Sequence, residues 1–282
     1  MINAKDMKVS VSTAFFGRSV PEVVHYYAEA RIDAIEIAGM NPERIDNYDI
    51  KGIADECKAN GVEFRSVHLP FSRTHSIALL DRSISEKAME KNMYVIDKIA
   101  PYGVKFCVIH PSTEPNEDPD RPGLLDYCAE NLAKLVEFGK QYGIELAMEN
   151  LPHTCLCNTS SEAIAMLDKV PGLKHCFDLN HFLPWKGEKP DNVQHIYDVK
   201  RLVGDRLISL HVSDYDFIDE RHRFPLDGDN DWQGIVRALE DTDYPGYFNY
   251  EIGRTLGVEA GKTLHDVRAN FDTLMAMGQN KA

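Results

Sequence analysis

Eight short apolar runs, each followed by a stretch with helical periodicity, constrain this chain more than any other feature. The runs are KVSVSTAFF (8–16), AIEIAG (34–39), FRSVHLP (64–70), FCVIHPS (106–112), ELAMENLP (145–152), HCFDLNHF (175–182), LISLHVSDY (207–215) and YFNYEIG (247–253). Most are almost continuously apolar rather than alternating, as strands are when both sheet faces are covered. Between them, Met89, Met93, Ile96 and Ile99 recur at helical spacing, and Leu125, Cys128, Leu132 and Leu135 do the same. Ser19 with Glu22, Ser83 with Glu86 and Thr159 with Glu162 have capping-box spacing, and Gly143 is placed to stop a helix. Eight βα units in 282 residues without a low-complexity linker predict an α/β protein, a single (β/α)8 TIM barrel over 1–282. An open doubly wound sheet would place a glycine-rich turn after its first strand, and FFGRS has one glycine.

In such a barrel the chemistry collects at the C-terminal ends of the strands. Here the third strand ends in His68, the fourth in His110, the fifth in Glu149-Asn150 and the sixth in Asp178-Leu179-Asn180-His181. The seventh delivers His211 and Asp214, and the eighth Glu251. One strand-end histidine is readily a hydrogen-bonding residue, and one carboxylate a helix cap. Six strands ending in metal-ligand types need a common cause. Several carboxylates buried together without a cation raise one another's pKa and pay for desolvation as well. Glu149, Asp178, His211 and Glu251 offer a hard, oxygen-rich set suited to one divalent ion, Mn²⁺, Mg²⁺ or Co²⁺, with Zn²⁺ compatible.

Net charge narrows the partners. At −14, with a pI near 5.2 and no long run of Lys and Arg, the surface repels nucleic acid and anionic membranes. The N-terminal MINAKDMK lacks the apolar core of a signal peptide, and no apolar run is long enough to span a bilayer. The six cysteines form no C-x-x-C pair. Cys155 and Cys157 read as reduced loop cysteines, so a cytoplasmic location is the simplest reading.

The ordered set HLP (68–70), HPS (110–112), MEN (148–150), DLNH (178–181), HVSDYD (211–216), ERHRFPLDGDNDW (220–232) and YEI (250–252) resembles the xylose isomerase-like barrel superfamily. More narrowly it resembles the sugar-phosphate isomerase/epimerase group of ketose 3-epimerases, hydroxypyruvate isomerases and inosose dehydratases. The resemblance implies a metal on Glu149, Asp178, His211 and Glu251, with the two glutamates also the acid/base pair. A proton α to a carbonyl would leave through a metal-stabilised enediolate, on a sugar, a sugar phosphate or a polyol ketone. His181, with the strand-end His68 and His110 and the loop residue His222, is expected to face substrate oxygens, and Arg223 or Arg221 to reach another. Trp185 is expected to stack on a sugar ring, and Phe15 and Phe16 are candidates for an apolar wall. Trp232 reads as structural, and His153 and His175 as incidental. Lys186, Arg73 and Arg221 are candidates for a phosphate. A homo-oligomer is compatible, because barrels of this kind often pair.

A dehydratase or lyase acting on a keto-sugar or inosose would begin with the same proton abstraction. A non-catalytic sugar-binding barrel would have little use for both glutamates. Type-IV apurinic endonucleases also resemble this chain. Their three-zinc pattern maps onto His68, His110, Glu149, Asp178, His181, His211, His222 and Glu251, with Glu220 where they carry aspartate. The acidic surface argues against that relative.

Overall fold

The computed structural model describes residues 6–116, 119–182, 191–218 and 221–279. The strands are β1 (Lys8–Ser12), β2 (Ala34–Ile37), β3 (Glu63–His68), β4 (Phe106–Ile109), β5 (Glu145–Glu149), β6 (Lys174–Asp178), β7 (Leu207–Val212) and β8 (Tyr247–Tyr250). Each pairs in parallel with the next, and β8 returns to β1, so the sheet closes into a barrel. The helices are α1 (Val24–Glu29), α2 (Ile50–Asn60), α3 (Arg82–Ile99), α4 (Arg121–Lys140), α5 (Ser160–Lys169), α6 (Asn192–Val203), α7 (Trp232–Asp241) and α8 (Leu264–Gln279). Among the described residues no helix is long and apolar enough to cross a membrane.

The period of two along each strand divides the core in two. Outward positions such as Val9, Ile35, Val67, Cys107, Leu146, Phe177, Leu210 and Phe248 pack with the helices in one large apolar layer. That layer includes the helical stripe through Met89, Ile96 and Ile99 and the one through Cys128, Leu132 and Leu135. Inside the barrel, Phe106, Val108, Ala147 and Cys176 form a smaller apolar cluster. The remaining inward positions are polar and buried, among them Ser12, Glu36, Ser66, Ser209, His211 and Asn249. Continued upward by two residues, the inward rows from Val108, Ala147, Cys176, Ser209 and Asn249 arrive at His110, Glu149, Asp178, His211 and Glu251. Strand periodicity alone therefore aims these side chains at one place.

The strands are shorter than their apolar runs. β1 stops at Ser12, whose hydroxyl accepts from the Ala14 amide and starts a 3-10 turn over Thr13–Phe15. Phe15 is consequently a core residue, and Phe16 packs beside Tyr27. The expected capping boxes hold only in part. Thr159 does cap α5, accepting from the Glu162 amide. The Glu162 carboxylate turns instead to the Cys157 amide and to Arg121. Ser83 lies inside α3, which Asp81 caps, and the Ser19 hydroxyl meets Thr13 Oγ1 at 2.7 Å rather than opening a helix. Asp81 takes the capping role in the first case, and Thr13 engages the Ser19 hydroxyl in the second. All six cysteines are free and buried.

Candidate active site

The sixth strand shows how the site is assembled. Asp178 ends β6 because its Oδ1 accepts from two loop amides, Asn180 N at 2.6 Å and His181 N at 3.1 Å. The chain turns there, and the buried Asn180 amide stands 3.3 Å from His222 Nδ1. The turn brings His181 over the barrel mouth, where its Nδ1 donates to the Asn150 carbonyl at 2.8 Å. Asn150 clamps the same strand end. Its Oδ1 accepts from the Asp178 amide at 2.8 Å, and its Nδ2 donates to the Asp178 carbonyl at 3.0 Å. With Oδ1 thus engaged, Asp178 Oδ2 is buried and has no well-aligned hydrogen-bond donor among the described residues.

Around that oxygen stand the other groups. The ligand atoms of Glu149, Asp178, His211 and Glu251 all lie within 4.8 Å of one another. His211 Nδ1 is 3.0 Å from both Glu149 Oε1 and Glu251 Oε2, and 3.8 Å from Asp178 Oδ2. Three triads share members with this set, His68–His211–Glu251, His68–His110–Glu149 and Asp178–His181–His222. His68 Nε2 and His110 Nε2 each lie 3.1 Å from Glu149 Oε2. His222 Nε2 lies 3.4 Å from Asp178 Oδ2 and 3.6 Å from Glu251 Oε2. The expected residues His68, His110, Glu149, Asp178, His181, His211, His222 and Glu251 therefore converge. Arg223 is carried on the same loop as His222, and its guanidinium pairs with Asp216 at 2.5 Å. Trp185, Lys186 and Glu220 lie outside the described residues.

The loop after β7 is held from beneath by Asp214, which is fully buried. Its Oδ1 accepts from the amides of Tyr215 and Asn230, and its Oδ2 from the Leu226 amide and Trp232 Nε1. An antiparallel bridge joins Asp214 to Arg223. His222, one residue earlier, is in the left-handed region at φ 49°, a conformation that costs a non-glycine residue energy and recurs at functional sites. Trp232 is structural, as expected, and its indole N–H is part of this support.

Charge is concentrated here. Burial pushes the Glu149 carboxyl up, but the imidazoles of His211 and His110 outweigh it and hold it well below the usual carboxylate range. Burial likewise opposes ionisation of Asp178, which His181 and His222 overcome, and of Glu251, which His211 overcomes. For His110 burial is the larger effect and draws its ring below the ordinary imidazole range, with Glu149 pulling the other way.

Three carboxylates around one imidazole, two of them buried and one carrying a buried oxygen without an aligned donor, fit a divalent cation by charge and by donor type. Carboxylate oxygens and a single ring nitrogen favour a hard ion over one that prefers thiolates.

Sequence reasoning missed several participants. Phe71, half exposed, lies over the His110 ring at 4.7 Å between centroids and an interplanar angle of 27°. Asn150 and Asp214 are in the motifs, but nothing in the sequence assigns them a clamp and a loop support. Glu36 is the most legible omission: a lone acid in AIEI, a strand otherwise apolar on both faces, has to have buried partners.

A closed parallel barrel with ligand-type residues at its C-terminal rim defines the class as an α/β barrel with an enzyme-type site. The particular family follows from comparison. Residues 24–271 match the family model of the xylose isomerase-like TIM barrel, and the chain belongs to that family. It is 23% identical over 252 residues to an uncharacterized protein of Methanocaldococcus jannaschii, covering 87% of this chain and 84% of that one. It is 28% identical over 127 residues to fructoselysine 3-epimerase of Escherichia coli O157:H7, a match spanning 44% of each chain. Among solved structures, a D-tagatose 3-epimerase-like protein superposes with a TM-score of 0.78 at 20% identity, over 96% of this chain and 98% of that one.

Proposed function

We propose that this protein is a divalent-metal-dependent epimerase or isomerase of a sugar or related keto-polyol. The observation that carries the reading is the pair Glu149 and Glu251, delivered from strands β5 and β8 to the same nitrogen of His211. Glu149, Asp178, His211 and Glu251 would hold the ion. When bound, the ion supplies positive charge that stabilises the negative charge developing on adjacent substrate oxygens. The two glutamates are the acid/base pair: one takes the proton α to the carbonyl, and the other returns a proton to the carbon framework. The Glu251 side chain is 18% exposed and that of Glu149 1%, so Glu251 is the more open to an entering substrate. His181, its ring held over the barrel mouth by the Nδ1–H bond to the Asn150 carbonyl, faces the substrate oxygens. The likeness to a fructoselysine 3-epimerase and to a D-tagatose 3-epimerase-like fold supports a ketose as substrate class.

The test is incubation of the Mn²⁺-loaded protein with free ketohexoses in D₂O. We expect solvent deuterium at the inverted carbon, and turnover about 10²–10⁴-fold lower in Glu149→Gln and in Glu251→Gln. Near-normal turnover in either variant would refute the two-glutamate scheme. Release of water from the substrate would assign the same site to a dehydratase.

A second reading, with more than one ion, has its own observation. His68 gives its Nδ1 proton to the Leu69 carbonyl at 2.7 Å, so Nε2 meets Glu149 Oε2 either as an imidazolium N–H or as a lone pair sharing a cation. Metal analysis decides. One ion per chain and no cleavage of an abasic-site duplex supports the epimerase reading; three ions with cleavage replaces it with a nuclease.

A further inference from the structure

Glu36 is fully buried in β2, inside the barrel and beneath the ligand cluster. Its Oε2 accepts from Ser66 Oγ at 2.7 Å, and its Oε1 from Asn249 Nδ2 at 2.9 Å. Oε1 also stands 3.1 Å from His211 Nε2. That approach is electrostatic in kind, since Nε2 has no hydrogen bond in good alignment. The Cys176 thiol lies against the same ring and is a weak acceptor beside a carboxylate. The opposite ring nitrogen, Nδ1, is the one facing Glu149, Glu251 and Asp178. Thus the two nitrogens of one buried imidazole look in opposite directions, toward a ligand cluster above and a single acid below.

The register explains how this was built. Glu36 is the lateral neighbour of Ser66, and His211 that of Asn249, so the four residues span β3, β2, β8 and β7. The other half of the interior is filled by Phe106, Val108, Ala147 and Cys176. Apolar residues would fill the Glu36 half as well and without desolvating a carboxylate. An imidazole that binds a cation through one nitrogen must be neutral and carry its proton on the other, and an acceptor at that second nitrogen fixes the tautomer and raises the basicity of the first.

We infer that Glu36 is a positioning residue for the metal ligand His211, holding the proton on Nε2 so that Nδ1 presents its lone pair to the ion. The inference rests on the metal reading of the site proposed above. It places part of the centre's negative charge inside the barrel, on a residue that touches neither ion nor substrate.

The test compares wild type with Glu36→Gln, which keeps the shape and removes the charge. Mn²⁺ affinity is measured by competition with a chelator. The Zn²⁺-loaded proteins are examined by ¹⁵N-edited NMR of histidine rings. We expect Mn²⁺ binding about 10–100-fold weaker in the variant. We also expect the wild-type His211 ring to carry its proton on Nε2, with a resonance that shifts in Glu36→Gln, a change that a role in packing alone would not produce. Unchanged affinity with an unmoved resonance would overturn the inference while leaving the metal reading intact. A wild type that binds no divalent ion would remove both. Should Glu36→Gln not fold, the wild-type spectrum still decides: a His211 proton on Nδ1 overturns the inference, and a proton on Nε2 supports it.

Discussion

Asp178 divides its two oxygens between the protein and the site, and that division explains the D-x-x-H spacing. Oδ1 must reach the amides two and three residues on, which places His181 at the start of a return toward the barrel axis. Oδ2 is left aimed at His211, His222 and the glutamates. Asn150 holds the strand end from the side, so its loss should be felt without any change in the ligands. Asn150→Ala removes two buried hydrogen bonds and strands the Asp178 amide; we expect about 2–3 kcal/mol of stability lost in urea unfolding of the metal-free protein. A variant as stable as wild type would show that water replaces the clamp. In the sequence, Asp178 and His181 were legible because both are ligand types at a strand end. Asn150 was not, because an amide that satisfies backbone groups leaves no compositional trace.

At the scale of the element, the segment after β7 takes its conformation largely from a single side chain. Four donors converge on Asp214, and Gly228 is packed so closely that a Cβ there would stand 2.6 Å from Asp214 Oδ1. Asp214→Asn offers one acceptor oxygen where two are used and turns an amide N–H₂ on the remaining donors. Hydrogen exchange in the described parts of the loop, 213–218 and 221–231, should accelerate at least tenfold, with the strands β1–β8 protected as before. Uniform protection across the loop would show that the bridge to Arg223 suffices by itself. All eight strands were legible from their apolar runs, but their ends were not. Each apolar run continues into the loop as core residues such as Phe15 and Leu151, and periodicity does not register where hydrogen bonding between strands stops.

For the whole molecule, acid is the condition that weakens the packing of β6 against α6. His175 on β6 donates Nδ1–H to the Met148 carbonyl at 2.9 Å, and its Nε2 meets His195 Nε2 on α6 at 2.9 Å. His195 Nδ1 in turn accepts from Ser160 at the start of α5, 2.6 Å away. Burial pushes His175 down to about 4, and burial together with His175 holds His195 well below the ordinary range. Both folded-state values lie below the unfolded value near 6.5, so between about pH 6.5 and 4 the unfolded chain takes up protons that the folded one refuses. The stability these rings contribute is complete above pH 6.5 and falls with pH through that window, by about 3 kcal/mol for His175 alone. Urea unfolding of wild type and His175→Asn at stepped pH isolates the effect, since the site histidines contribute equally to both proteins. The difference in stability should shrink as the pH drops from 6.5 to 4, and a constant difference would exclude the linkage. His175 reads from the sequence as incidental; its position at the start of a strand conceals that it faces the helix layer rather than the mouth of the barrel.

Ligands fixed by strands and a histidine fixed by a loop have a consequence for how such a protein changes. Glu149, Asp178 and His211 belong to the barrel itself, whereas His222 rides on a segment whose shape is set locally by Asp214. A length change between Tyr215 and Asn230 would remodel what the mouth admits while the Glu149–Asp178–His211 cluster keeps its geometry. The selectivity of the site for what it admits can therefore drift independently of the chemistry it performs.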